Sequence, residues 1–343
     1  MTEIILTILA ISLLLYVLLG GADFGGGILE LITRGKGSRI ISRAIAPVWE
    51  ANHVWLVLVI VILFVGFPTV YSTAMTALHI PILLVLLGII FRGAAFTFRH
   101  YDIGEERPKA IYSSIFRFSS VFTTFFLGVT LGAIIFGEIT KDITQGFFAV
   151  YLRPWLNLFS FAMGIFMIIL FAFLANIFTL GEVKEEKNVQ YFARFAKVLI
   201  VALVVAGGLV FGAAEIESHP LFAEFIQSPV SIGSIVLATL ALPVLWFNLK
   251  GKRQNLVRII AGFQTTMIVL GWFAIQFPVL VNIKGGTDIT LLNSAAPKET
   301  QFYLLIALVV GVLIILPAMG YLYKVFKFNG IDEGNTSYVE KGE

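Results

Sequence analysis

A short polar block, Trp49-Glu50-Ala51-Asn52-His53, opens a run of apolar residues otherwise long enough to cross a bilayer. An ionisable side chain inside a membrane span costs roughly 2.5–3.5 kcal/mol on insertion scales, so it is kept where it has a partner or lines a water path. Glu50 and His53 are three residues apart and share a helix face; Trp49 and Asn52 form an adjacent pair at the same spacing. Asp23 and Arg92 lie in neighbouring apolar runs. Two acids, a guanidinium and an imidazole are the parts of a proton relay or of an ion-binding site.

These groups must be positioned by membrane helices. Hydrophobic residues make up 58% of the 343-residue chain and charged residues only 13%, a balance that excludes a soluble domain and defines a polytopic membrane protein. The first apolar run begins near Ile4 with neither a basic region before it nor a small-residue cleavage site, which predicts a retained helix. A window of about 19 residues predicts nine spans, roughly 4–32, 45–67, 75–98, 115–136, 155–180, 196–214, 229–249, 255–280 and 302–326. No soluble block is inserted, so the chain reads as a single integral membrane domain, 1–343. Cysteine is absent, which excludes disulfides, thiolate metal sites and iron–sulfur clusters.

Basic residues retained in short loops mark the cytoplasmic side. The loops at 33–44, 99–114, 181–195 and 250–254, with their flanking helix ends and the C-terminal segment, hold most of the Lys and Arg; Lys141, Arg153, Lys284 and Lys298 fall on the other side. The N-terminus is therefore expected outside and the C-terminus in the cytoplasm. At 1.5 Å rise per residue, Glu50 lies about 6–9 Å and Arg92 about 9 Å inside the cytoplasmic end of their helices, with Asp23 late in the first helix and Gln264 a candidate for the same layer. An acid and a guanidinium at one depth can offset each other's desolvation.

Each feature also has a purely structural reading. Gly21 and Gly25 have the spacing that lets two membrane helices approach closely, and the glycine run lacks the order of a dinucleotide fingerprint. Asp23 and Arg92 as a packing pair would use the same physics as a functional pair. Of the four histidines, His100 and His219 fall in loops or helix ends, His79 near the outer end of the third helix, and only His53 well inside the inner leaflet. No two are placed to ligate one haem, so no haem and no metal is expected in this chain. Trp155, after Arg153-Pro154, reads as an interfacial anchor.

Three blocks carry a family resemblance: Gly21-Ala22-Asp23-Phe24-Gly25-Gly26-Gly27, then Ile45-Ala46-Pro47-Val48-Trp49-Glu50-Ala51-Asn52-His53-Val54-Trp55-Leu56, then Phe91-Arg92. In order and spacing they resemble the N-terminal pattern of subunit II of the cytochrome bd-type quinol oxidases, and Asn293-Ser294-Ala295-Ala296 before the last helix resembles its C-terminal region. The resemblance implies nine transmembrane helices arranged as two four-helix bundles, here about 1–136 and 155–280, plus a peripheral helix at 302–326. It also implies a haem-free chain packed against a haem-bearing subunit I, which holds haems b and d and the quinol-oxidising loop; a very small single-helix subunit is a further implied partner. Lipid is the surrounding medium, and no nucleic-acid partner is implied.

A cytoplasmic proton path is assigned in that family to the acid of the Trp-acid-x-Asn block, here Glu50; Asp23, His53, Asn52, Trp49 and Arg92 surround it in the pattern. The sequence departs from the common pattern in having Glu50 where Asp is frequent, His53 where Gln is frequent, and Gly20 where many members carry a further acid. Two other functions fit the polar residues alone: a secondary transporter using Asp23, Glu50 and Arg92 for a coupling ion, or a membrane scaffold whose buried charges fix helix packing.

Overall fold

The computed structural model describes residues 1–35, 37–45, 49–101, 106–183, 185–249 and 254–325. The first span comprises α1 (Thr2–Leu15), a π-helical turn (Tyr16–Gly20) and α2 (Gly21–Ile32). Two short helices follow, α3 (Ser38–Ile45) and α4 (Trp49–Asn52), the latter running through a turn at His53 into α5 (Val54–Gly66). Phe67 then leaves helical geometry, and Pro68 starts α6 (Pro68–Ala77) at a position where its missing N–H costs nothing. The chain bends by 113° between α5 and α6.

The long helices α7 (His79–Tyr101), α8 (Glu106–Phe136), α9 (Leu158–Leu180) and α10 (Glu186–Ile216) come next. After α11 (Leu221–Gln227) come α12 (Pro229–Asn248) and α13 (Gln254–Gln276). A two-stranded antiparallel ribbon, β1 (Val279–Val281) with β2 (Ile289–Thr290), precedes α14 (Leu291–Ser294) and α15 (Lys298–Tyr323). Among the described residues eight helices are long and apolar enough to cross a membrane, and the bent α5–α6 pair makes a ninth if counted as one span. The expected polytopic helical class is therefore observed. Ends differ: α8 and α10 extend well past the predicted spans at their N-termini, and the eighth predicted span stops at Gln276 rather than 280 because the following residues pair as a strand.

The centre of the molecule is α9, buried along most of its length, whereas α15 is the most exposed span. The start of α9 is held from two sides: Asn157 accepts from the Ser160 N–H, and both carboxylate oxygens of Glu217 accept from the N–H groups of Leu158 and Phe159 at 2.9 Å. These contacts satisfy donors that a helix leaves open at its first turn. α9 packs against α2, α8, α10 and α13. Gly25 makes the first of these contacts possible, since a β-carbon there would run into the main chain of Phe171; this is the close approach expected of the Gly21/Gly25 pair. Exposed Leu83, Leu86, Phe91, Phe118, Val204 and Leu240 give the helices an apolar exterior, as lipid contact requires.

Candidate functional site: a buried acid–arginine layer

Asp23 and Arg92 meet inside the protein, each 1% exposed. One Arg92 nitrogen lies 2.7 Å from Asp23 Oδ1 and also donates to the Asp23 main-chain carbonyl at 3.0 Å. The arginine therefore grips both the side chain and the backbone of one residue, which fixes the rotation of α2 against α7. Its guanidinium stacks on two rings, 4.7 Å from the centre of Phe24 and 5.2 Å from that of Phe116. Planar, weakly hydrated guanidinium suits such a buried aromatic cradle better than an ammonium would.

His53 closes the layer on its other side. Its Nε2 is 3.9 Å from Asp23 Oδ2, and its ring packs on Phe24 at 5.6 Å and near Tyr16 at 6.3 Å. The His53 side chain is 21% exposed while Asp23 is sealed, so the imidazole stands between the buried carboxylate and the outside of the chain. Asn52 is buried and donates to the Leu19 carbonyl at 3.3 Å. That carbonyl belongs to the π turn, a geometry that recurs at functional positions because it breaks the regular ladder. The Tyr16 hydroxyl, the Asn52 side-chain oxygen, the Trp55 indole N–H and Arg92 Nε are buried without a hydrogen-bond partner in the chain.

The predicted residues are thus brought together in part. Asp23, Arg92, His53 and Asn52 form one layer. Trp49 does not join it: its ring packs on Phe96 at 5.2 Å and lies close to Gly93, on the side of the α4 turn facing α7. The side chain of Glu50 lies outside the described residues. Gln264 belongs elsewhere, in a cavity of about 230 Å³ whose walls include Phe166, Gly207, Phe211 and Trp272; depth along the membrane does not specify which helices face one another. Trp155, expected at an interface, is buried and donates its indole N–H to the Tyr151 carbonyl at 2.8 Å.

Gly20, where an acid is common in the resembling family, has the ring of Tyr16 over it, and a β-carbon there would meet that ring at 2.9 Å. Tyr16 fills the space such an acid would need. The other described histidines are engaged apart from this layer, His79 with the Thr76 carbonyl at 2.9 Å and His219 stacked on Phe159 and Phe136. Among the described residues no group of three or more His, Asp or Glu side chains is placed to hold a metal ion.

The structure adds a second buried pair that position along the chain does not suggest. Glu30, 1% exposed, pairs with Arg99 at 2.9 Å and accepts from the Ser42 hydroxyl at 3.2 Å; Arg99 in turn donates to that hydroxyl at 2.7 Å. By position alone Arg99 reads as a loop charge and Glu30 as a helix end. The signal in the sequence is their spacing, since Glu30 follows Asp23 by seven residues and Arg99 follows Arg92 by seven.

Fold and site together define a polytopic helical membrane protein with a buried, ion-paired acid next to a partly accessible imidazole. The sequence model of the family described as cytochrome bd terminal oxidase subunit II matches residues 1–326, and the chain belongs to that family. Subunit 2 of the cytochrome bd ubiquinol oxidase of Bacillus subtilis (strain 168) is 24% identical over 317 residues, covering 90% of both chains. Subunit 2 of the cytochrome bd-I ubiquinol oxidase of Escherichia coli (strain K12) is 31% identical over 122 residues, 34% of this chain and 31% of that one. The solved bd oxidase of Geobacillus thermodenitrificans shares the fold, with a TM-score of 0.75 at 17% identity over 96% of this chain and 99% of that chain. Family membership sets the transporter reading aside.

Proposed function

We propose that this chain is the haem-free subunit II of a quinol-oxidising, oxygen-reducing membrane complex, in which it packs against and stabilises a haem-bearing subunit I and supplies part of a proton path from the cytoplasm. The observation that carries the proton path is the Asp23–His53 contact: a carboxylate sealed by Arg92, with a half-buried imidazole at 3.9 Å as its way out. Reduction of O₂ to water consumes protons. If these come from the cytoplasm while quinol releases its own outside, charge is separated across the membrane without a pump.

A relay needs groups that can accept and donate in turn, held where bulk water does not reach. Asp23, His53 and the Tyr16 hydroxyl supply those groups in one layer, the Asn52 side-chain oxygen adds a hydrogen-bond acceptor beside them, and Glu50, from the same turn as Asn52, is the acid that the family pattern marks. Asn52 and Arg92 hold the layer in register; Trp49 braces α4 against α7 through Phe96. The haems b and d belong to the partner in this reading, which the separate engagement of His53, His79 and His219 supports. The chain is proposed as one membrane domain with bundles at about 1–136 and 155–280, and the high exposure of α15 supports its place as the peripheral helix. The basic loops support a cytoplasmic C-terminus in a prokaryotic cell membrane.

The test is Glu50→Gln in the assembled complex. Oxygen reduction is expected to fall at least about tenfold, as removal of a positioned proton carrier does, with the haem content unchanged. Unaltered turnover in a fully haem-loaded complex would sink the proton-path role.

A further inference from the structure

Resting on the proton-path reading above, we propose that Glu30, held by Arg99 and Ser42, is the inlet acid of that path: it takes up protons on the basic-rich side and passes them towards the Asp23–His53 layer. Asp23 and Glu30 are seven residues apart on the first span, and Arg92 and Arg99 seven apart on α7. Seven residues are nearly two helical turns, so each pair shares a face and the two acid–arginine rungs are separated by about 10 Å along the helices. Glu30 lies nearer the basic-rich end of its helix.

The two rungs are in physical contact through one ring. Phe116, itself buried, carries the Arg92 guanidinium 5.2 Å from its centre and the Arg99 guanidinium 4.5 Å from its centre. The Arg99 side chain is 10% exposed against 1% for Arg92, so along the arginine face of α7 an approach from the basic-rich end reaches the Glu30 rung first, whereas His53 opens the Asp23 rung from the side of α4. Ser42 joins both partners of that rung: its oxygen accepts from Arg99 while its proton goes to Glu30 Oε1.

A proton arriving at Glu30 converts the carboxylate to a neutral acid and removes the charge that holds Arg99. The Arg99 cation is then left to Ser42 and the rings of Phe96 and Phe116, and because Phe116 also carries Arg92, the change at the inlet is felt at the Asp23 rung. When the proton leaves for that layer, Glu30 is again a carboxylate and the Arg99 pair re-forms. A clamp between helices would not need this chemistry, since buried ion pairs are commonly matched or bettered in stability by apolar residues of similar volume.

The experiment compares Glu30→Gln, Glu30→Asp and the double variant Glu30→Gln/Arg99→Gln in the whole complex, reconstituted in vesicles. Haem content, quinol-driven haem reduction, oxygen consumption and proton uptake from the cytoplasmic face are measured together. Glu30→Gln is expected to slow oxygen consumption and proton uptake on the order of tenfold with haem reduction intact, and Glu30→Asp to restore most of both. The double variant, which leaves no buried charge unpaired, is expected to assemble and to remain slow. Wild-type proton uptake in Glu30→Gln or in the double variant overturns the proposal, and so does failure of both to retain haem, which would make Glu30 a packing residue. If Glu50→Gln is slow while Glu30→Gln is not, only the inlet fails; if neither is slow, the proton path itself fails.

Discussion

At the scale of single residues, the decisive arrangement is that Arg92 binds Asp23 twice, through the carboxylate and the main-chain carbonyl. Removing one member of a buried pair leaves an uncompensated charge, at a cost of about 3–5 kcal/mol, whereas removing both leaves two neutral polar groups. Asp23→Asn and Arg92→Gln are each expected to lower the thermal stability and haem retention of the complex, and the double variant to recover much of the loss. Thermal inactivation of the purified complex checks this; additive losses in the double variant would show that the two side chains act independently.

Elements are set by close approach and by breaks in helical regularity. The contact between α2 and α9 depends on Gly25, whose missing side chain leaves room for the Phe171 main chain. A rigid backbone cannot yield as a flexible side chain can, so Gly25→Ala is expected to destabilise by at least the roughly 1–3 kcal/mol typical of overpacking. Gly208, in the middle of α10, faces open space, with no atom within 4 Å of where a β-carbon would sit. Gly208→Ala is expected to be neutral or slightly stabilising because alanine is the better helix former. Melting temperatures of the two variant complexes decide the point, and equal shifts would contradict it. The bend at Phe67-Pro68 and the π turn at Tyr16–Gly20 are the other breaks. The first ends α5 at Gly66; the second contains the Leu19 carbonyl that accepts from Asn52.

For the whole molecule the expectations concern topology and partnership. Because the chain has no cysteine, single cysteines report side without background. In intact cells a membrane-impermeant maleimide is expected to label Gln145→Cys, on an exposed segment that the proposed orientation puts outside, and to leave Lys187→Cys, at the start of α10, unlabelled until the membrane is opened. The reverse pattern would invert the proposed orientation. Purified apart from its partner, the chain is expected to show no haem absorbance, while the co-purified complex shows it in full; stoichiometric haem remaining on the isolated chain would refute the division of labour.

Much of this was legible in the residues themselves. Apolar run length follows directly from bilayer thickness, so the number and approximate place of the spans could be read, and the rarity of ionisable groups inside them singled out Asp23, His53 and Arg92. The glycine spacing at 21 and 25 announced a close approach for the same local reason. Which groups meet is a different matter, because helices at one depth can face any direction. Only the tertiary structure turned Gln264 away into its own cavity, seated Trp49 on Phe96, buried Trp155, and paired Arg92 with Asp23. It alone paired Glu30 with Arg99 across α2 and α7. A sequence prescribes periodicity and depth through local chemistry; the rotation of each helix about its axis is decided by packing among all of them.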